Sequence, residues 1–145
     1  MMKNKVFRGV VAVVIFFGLI QLIPYGHNHT NPTAREVVQW DSQQTHDLLV
    51  RACYDCHSNE SVWPWYSNIA PVSWLVQHDV EEGRQNLNFS EPLRQQRRSG
   101  EANKAVQSGH MPPAIYLIMH PSANLNATEK KQLIDGLLAT FGQIQ

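Results

Sequence analysis

The chain has 145 residues, room for one domain rather than two, and its 43% hydrophobic and 17% charged residues exclude a disordered chain. Net charge is zero, but Lys3, Lys5 and Arg8 cluster at the start and leave nine Lys/Arg against twelve Asp/Glu beyond them, a net of −3. That is not the basic footprint of a nucleic-acid binder, and the Arg94/Arg97/Arg98 group, interspersed with Gln, reads as a solvated helix face.

The first element spans residues 1–26. Three basic residues and no acid precede Gly9 to Ile23 (GVVAVVIFFGLIQLI), and Pro24-Tyr25-Gly26 follows. A basic start and an apolar run form an export signal, here at the upper length for a signal core and just short of a full span. No small-x-small cleavage site follows, so an uncleaved signal anchor is expected, in the membrane through residues 9–25 with Tyr25 near the interface. The positive-inside rule then puts Lys3, Lys5 and Arg8 in the cytoplasm and the rest across a bacterial inner membrane, in the periplasm. The alternative is a core helix of a soluble protein. No Cys lies near position 20, which excludes lipidation there.

Residues 27–43, polar and broken by Pro32, read as a tether, and residues 44–145 as the folded domain. No strand-like alternation of useful length occurs, and helical signals dominate. Ser42 can cap a helix through Leu48, Leu49 and Ala52 towards Cys56. Pro71 suits the first turn of a second helix, with Val72, Leu75, Val76 and Val80 on one face and Gly83 as its stop. Glu101 to Ser108 forms a short helix closed by Gly109. Thr128 caps a final helix with Leu133, Ile134, Leu137, Leu138 and Phe141 as an apolar stripe. The expectation is an all-α, cytochrome c-like domain of short helices around something large.

Residues 53–57 read Cys-Tyr-Asp-Cys-His, the C-x-x-C-H haem-attachment motif. Two thiols three residues apart on a helical turn reach the two vinyl groups on one haem edge, and the next residue projects an imidazole beneath the iron. One covalent haem c on Cys53 and Cys56, with His57 as proximal ligand, is therefore expected. A thioredoxin-like pair would sit at a helix N-terminus after a strand, and this pair does not. A zinc site would need a further ligand such as His78, His110 or His120.

Met111, 54 residues after His57 in Gly-His-Met-Pro-Pro, is the expected distal ligand, because prolines stiffen a loop that presents a weak thioether. His78, His120 and Met119 are the alternatives, and a gap-filling core Met is the other reading of Met111. The proximal imidazole needs a carbonyl acceptor for its second nitrogen, and Ala70 or Pro71 is a candidate. Trp63, Trp65, Trp74 and Tyr66 can wall the haem edge, and Arg84 can pair with a propionate; ordinary aromatic core and a surface Arg are the plainer readings.

Cys53-Tyr-Asp-Cys-His-Ser-Asn, Trp63-Pro-Trp-Tyr-Ser, Ile69-Ala-Pro-Val-Ser-Trp-Leu, Gly83-Arg, Leu87-Asn-Phe-Ser and Met111-Pro-Pro together resemble the small bacterial haem-binding domain family. That is a cytochrome c-like group with an N-terminal membrane segment, and the resemblance covers roughly residues 35–142. It implies covalent haem through Cys53 and Cys56, axial His57, and the Met-Pro-Pro loop near the distal side. Tyr116, His120 and Pro121 fit its downstream pattern. After Asn-Phe-Ser the family carries an aromatic where this chain has Glu91-Pro92. The functional expectation is electron transfer with redox partner proteins rather than catalysis. The alternative is a haem-based ligand sensor or peroxidase-like protein with an open or displaceable distal position and His110 as its acid–base group.

Overall fold

The computed structural model describes residues 2–35, 38–93, 96 and 98–144. Arg94 and Arg97 of the expected solvated face lie outside them, and Arg98 is exposed. Seven α-helices and no strand occur among the described residues, in keeping with an all-α chain: α1 (Met2–Ile20), α2 (Gln43–Ala52), α3 (Tyr54–His57), α4 (Val72–Asn86), α5 (Ala102–Gln107), α6 (Ala114–Met119) and α7 (Ala127–Ile144). Residues 1–30 and 63–79 form one compact unit, and residues 31–62 and 80–145 another.

In the larger unit, local sequence sets the helix ends. Ser42 is extended (φ −153°, ψ 156°), and its hydroxyl accepts the Thr45 N–H at 3.2 Å, so α2 starts where a serine cap would start it. The cap of α7 is Asn126 rather than the expected Thr128. Asn126 Oδ1 accepts from the N–H groups of Thr128 and Glu129 at 2.9 and 3.0 Å, and Glu129 Oε2 accepts the Asn126 N–H at 2.9 Å. That reciprocal box satisfies three donors, which a threonine already inside the helix cannot do. Gly109, at φ +75°, ends α5 as expected, a conformation that costs a glycine little.

The core of this unit joins α2, α5 and α7, with Leu49, Leu93, Leu133 and Leu137 fully buried. Of the α7 stripe, Leu133, Leu137 and Phe141 enter the core and Ile134 packs against it, while Leu138 is exposed. Residues of the expected tether are pinned: Asn31 Nδ2 donates to Ser61 O at 2.9 Å, Arg35 N donates to Ser90 O at 2.8 Å, and Val38 is buried in the core.

In the smaller unit, the side-chain amide of Gln21 pairs with the backbone of Ala70, donating to its carbonyl at 3.0 Å and accepting its N–H at 2.9 Å. His29 stacks on Trp63 (centroids 4.5 Å apart, 14° between planes), and its Nε2 lies 3.0 Å from Ser67 O. The buried side chains of α4 in this unit are Ser73 and Gln77, whereas Val72 and Leu75 of the expected apolar face are exposed.

No helix among the described residues is long and apolar enough to cross a membrane. Lys3, Lys5 and Arg8 lie inside α1, and the helix stops at Ile20, before Leu22 and Ile23. The uncharged stretch from Gly9 to Ile20 rises only about 18 Å at ~1.5 Å per residue, against a hydrocarbon core of about 30 Å. The side chains from Asn4 to Leu19 are nonetheless exposed on every side of the helix.

Candidate functional site

The C-x-x-C-H motif forms a single turn. α2 ends at Cys53, whose backbone (φ −132°, ψ −32°) leaves the helix while its N–H still reaches Leu49 O at 2.8 Å. The Cys53 carbonyl accepts the N–H of Cys56 at 3.2 Å and of His57 at 2.9 Å, so the second Cys and the His emerge one turn after the first Cys. No disulfide joins the two cysteines. Burial, followed by the neighbouring Cys56, pushes the Cys53 thiol up to about 12. A thiol–disulfide centre needs the opposite, an easily formed thiolate. Among the described residues no group of three His, Cys, Asp or Glu side chains converges as a metal site, so the zinc reading gains no ligand set.

His57 is held at two points by one short segment. Its ring Nδ1 lies 2.9 Å from Leu87 O, and its own carbonyl accepts the Phe89 N–H at 2.7 Å. A carbonyl oxygen only accepts, so Nδ1 carries the proton and the lone pair of the neutral ring resides on Nε2. The orienting carbonyl therefore comes from Leu87, just beyond α4, and not from Ala70 or Pro71, because the chain leaving α4 is what runs beside the motif. Burial lowers the pKa of this imidazole, the Leu87 carbonyl acting the other way. Burial outweighs the Leu87 and Gly83 backbone contacts, which favour the charged ring, and leaves a neutral nitrogen available to a metal.

Close approach allows that pairing. Gly83 does not stop α4, which runs on to Asn86; it faces Cys56, and a Cβ there would fall 3.0 Å from the Cys56 carbonyl carbon and 3.1 Å from its Cβ. Behind His57 stand Phe89, with ring centroids 6.2 Å apart, and Tyr54, stacked on Phe89 at 5.7 Å. Trp40 meets Phe89 edge-on and donates its indole N–H to the Tyr54 hydroxyl at 3.3 Å. A buried amide network joins the same segments: Asn59 N donates to Ser90 Oγ at 2.9 Å, Asn88 Nδ2 donates to Asn59 Oδ1 at 2.8 Å, and Ser90 N donates to Asn88 Oδ1 at 2.9 Å.

Arg84 braces the chain after His57. Its Nε donates to Ser58 O at 2.8 Å, and Nη2 donates to Asn31 Oδ1 and Ser61 Oγ, each at 2.9 Å. Trp63 and Trp65 belong to the smaller unit, where Trp63 stacks on His29 and the exposed Trp65 meets Tyr66 edge-on. His78 is exposed in that unit too. Trp74 Nε1, also there, is buried and without a hydrogen-bond partner among the described residues.

Met111 follows α5. Its N–H and that of His110 both reach Ala105 O, at 3.2 and 3.1 Å, and Met111 is 36% exposed, which is not the state of a gap-filling core methionine. The exposed His110 has Nδ1 2.7 Å from Ser108 Oγ. Of the alternatives, Met119 is exposed, and His120 stacks on Tyr116 (4.0 Å, 12°) with Nδ1 3.1 Å from Tyr116 O. The Tyr116 hydroxyl donates to Asp55 Oδ2 at 2.7 Å, and the Val62 N–H reaches Asp55 Oδ1 at 3.0 Å. Asp55 and Tyr116 had no role in the sequence reading, although both stand inside motifs of the family pattern.

A family model described as a haem-binding domain matches residues 15–139. The chain belongs to the haem-binding domain family. No curated protein matches it, and no solved structure does. The residues fit the cofactor: this haem-binding domain carries two thiols on one turn, followed by an imidazole whose Nδ1 is engaged and whose Nε2 holds the lone pair, and a half-exposed thioether in a separate loop.

Proposed function

We propose that this haem-binding domain is a membrane-anchored, periplasmic, single-haem c-type cytochrome that transfers electrons between redox partner proteins. Cys53 and Cys56 hold the haem by thioethers. His57 would offer Nε2 to the iron, and Met111 its thioether. The cofactor supplies one-electron exchange at iron, and a Met thioether raises its potential relative to a second His. The observation that carries this reading is the Leu87 carbonyl on His57 Nδ1 within the C-x-x-C-H turn, the orienting bond that haem- and metal-ligating histidines use.

The anchor reading rests on α1, where a basic start is followed by apolar residues exposed all round, Val13 at 67% and Phe16 at 65% among them. Such a helix calls for an apolar surrounding, which lipid would supply to the exposed residues of α1.

A second reading, a ligand sensor or peroxidase-like protein, draws on the Ser108 contact that holds His110 beside Met111. Extraction with acidified organic solvent tests the covalent attachment. Haem is expected to stay with the chain and to be extracted when Cys53→Ala and Cys56→Ala are combined; free extraction from the unaltered chain would overturn the c-type reading.

A further inference from the structure

We infer that Asp55 and Tyr116 are positioning residues for the distal ligand: the hydrogen bond between them latches the segment carrying Met111 to the turn carrying Cys53, Cys56 and His57. The inference rests on the reading of Met111 as an axial ligand.

Asp55 is fixed at both ends. It lies between the two cysteines of a turn closed by the Cys53 carbonyl, its own carbonyl accepts the Ser61 hydroxyl at 2.5 Å, and Oδ1 is occupied by the Val62 N–H. Oδ2 is thereby aimed, and it receives the Tyr116 hydroxyl at 2.7 Å, the length of a charge-assisted O–H···O⁻ bond. Burial and the adjacent carboxylate raise the phenol's pKa, so it remains a donor.

Tyr116 is five residues beyond Met111, and the link between them is stiff. Pro112 and Pro113 have fixed φ, and the Tyr116 N–H bonds Pro113 O at 3.0 Å in the first turn of α6. The stacked His120 holds the Tyr116 ring on its other side. Upstream, Ala105 O takes the Met111 N–H. The ligand loop is thus tied at one end to α5 and at the other to the haem-attachment turn. A thioether is a weak ligand, so the fraction of time it spends on iron depends on how little freedom its loop must lose. The latch removes that freedom in advance.

The test uses the full haem-loaded chain with Tyr116→Phe, Asp55→Ala, Asp55→Asn and the Tyr116→Phe/Asp55→Ala pair. Readouts are the far-red Met–iron band of the oxidised form and the CO association rate of the reduced form. Tyr116→Phe and Asp55→Ala are expected to keep covalent haem, weaken the band and speed CO association roughly tenfold or more, the scale of a lost hydrogen bond to a charged group. The pair should do no more than either alone, and Asp55→Asn, whose amide still pairs with the hydroxyl, should fall between. Should Asp55→Ala fail to mature, Tyr116→Phe decides, since it changes no atom of the attachment turn. A lower melting temperature with an unchanged band and CO rate would reduce the pair to a structural tie and overturn the inference. If the unaltered protein has no far-red band that Met111→Ala removes, the ligand reading itself fails, and the inference falls with it.

Discussion

Gly83 of α4 lies against Cys56 so closely that a single added methyl would stand 3.1 Å from the Cys56 Cβ and closer still to its carbonyl group. The backbone of the C-x-x-C-H turn, not a yielding side chain, is what that methyl meets. Gly83→Ala should therefore push α4 away and loosen the Leu87 and Phe89 bonds to His57. A cost of about 1–3 kcal/mol is expected for such overpacking. The denaturant midpoint of the haem-loaded protein measures it, and an unchanged midpoint would contradict the packing described.

The start of α7 is set by Asn126 and Glu129. Asn126→Ala should cost about 1 kcal/mol, the usual value of a lost N-cap, read from the same denaturation curves. The Arg51 guanidinium, 2.6 Å from Glu129 Oε1, and the Asn126 N–H hold the Glu129 carboxyl below its ordinary value of 4.5. A carboxyl lowered by folding stabilises the fold above its unfolded pKa, and that contribution fades as pH falls below about 4.5 through the folded value. Glu129→Gln should flatten the acid limb of stability against pH; an unaltered limb would show that the pair adds nothing.

Export is testable without the haem domain. A reporter active only outside the cytoplasm, fused after residue 30, is expected to be active. A silent reporter would contradict the proposed location.

What the sequence made legible was local. The Ser42 cap, the Gly109 stop and most of the α7 stripe follow from residues within a turn or two of one another, and so does the C-x-x-C-H turn. Contacts between distant segments were not legible. Gly83 looked like a helix stop because glycine often is one, and only the packing of Cys56 against it reveals the other reason for a glycine. The carbonyl that orients His57 belongs to the backbone of Leu87, where no side chain advertises it. Asp55 and Tyr116 are 61 residues apart, and neither type alone signals the pairing. The Asn88-Phe89-Ser90 motif was visible as a resemblance; its role, tying His57 and Asn59 to the chain after α4, needed coordinates.

The visible to far-red spectrum of the haem-loaded protein, oxidised and reduced, before and after CO, tests His57/Met111 ligation most directly. A Met–iron charge-transfer band is expected in the oxidised form, absent from Met111→Ala, with no ready CO adduct in the unaltered protein. A high-spin spectrum with rapid CO binding would contradict that ligation and turn attention to ligand sensing or peroxide chemistry at an open iron.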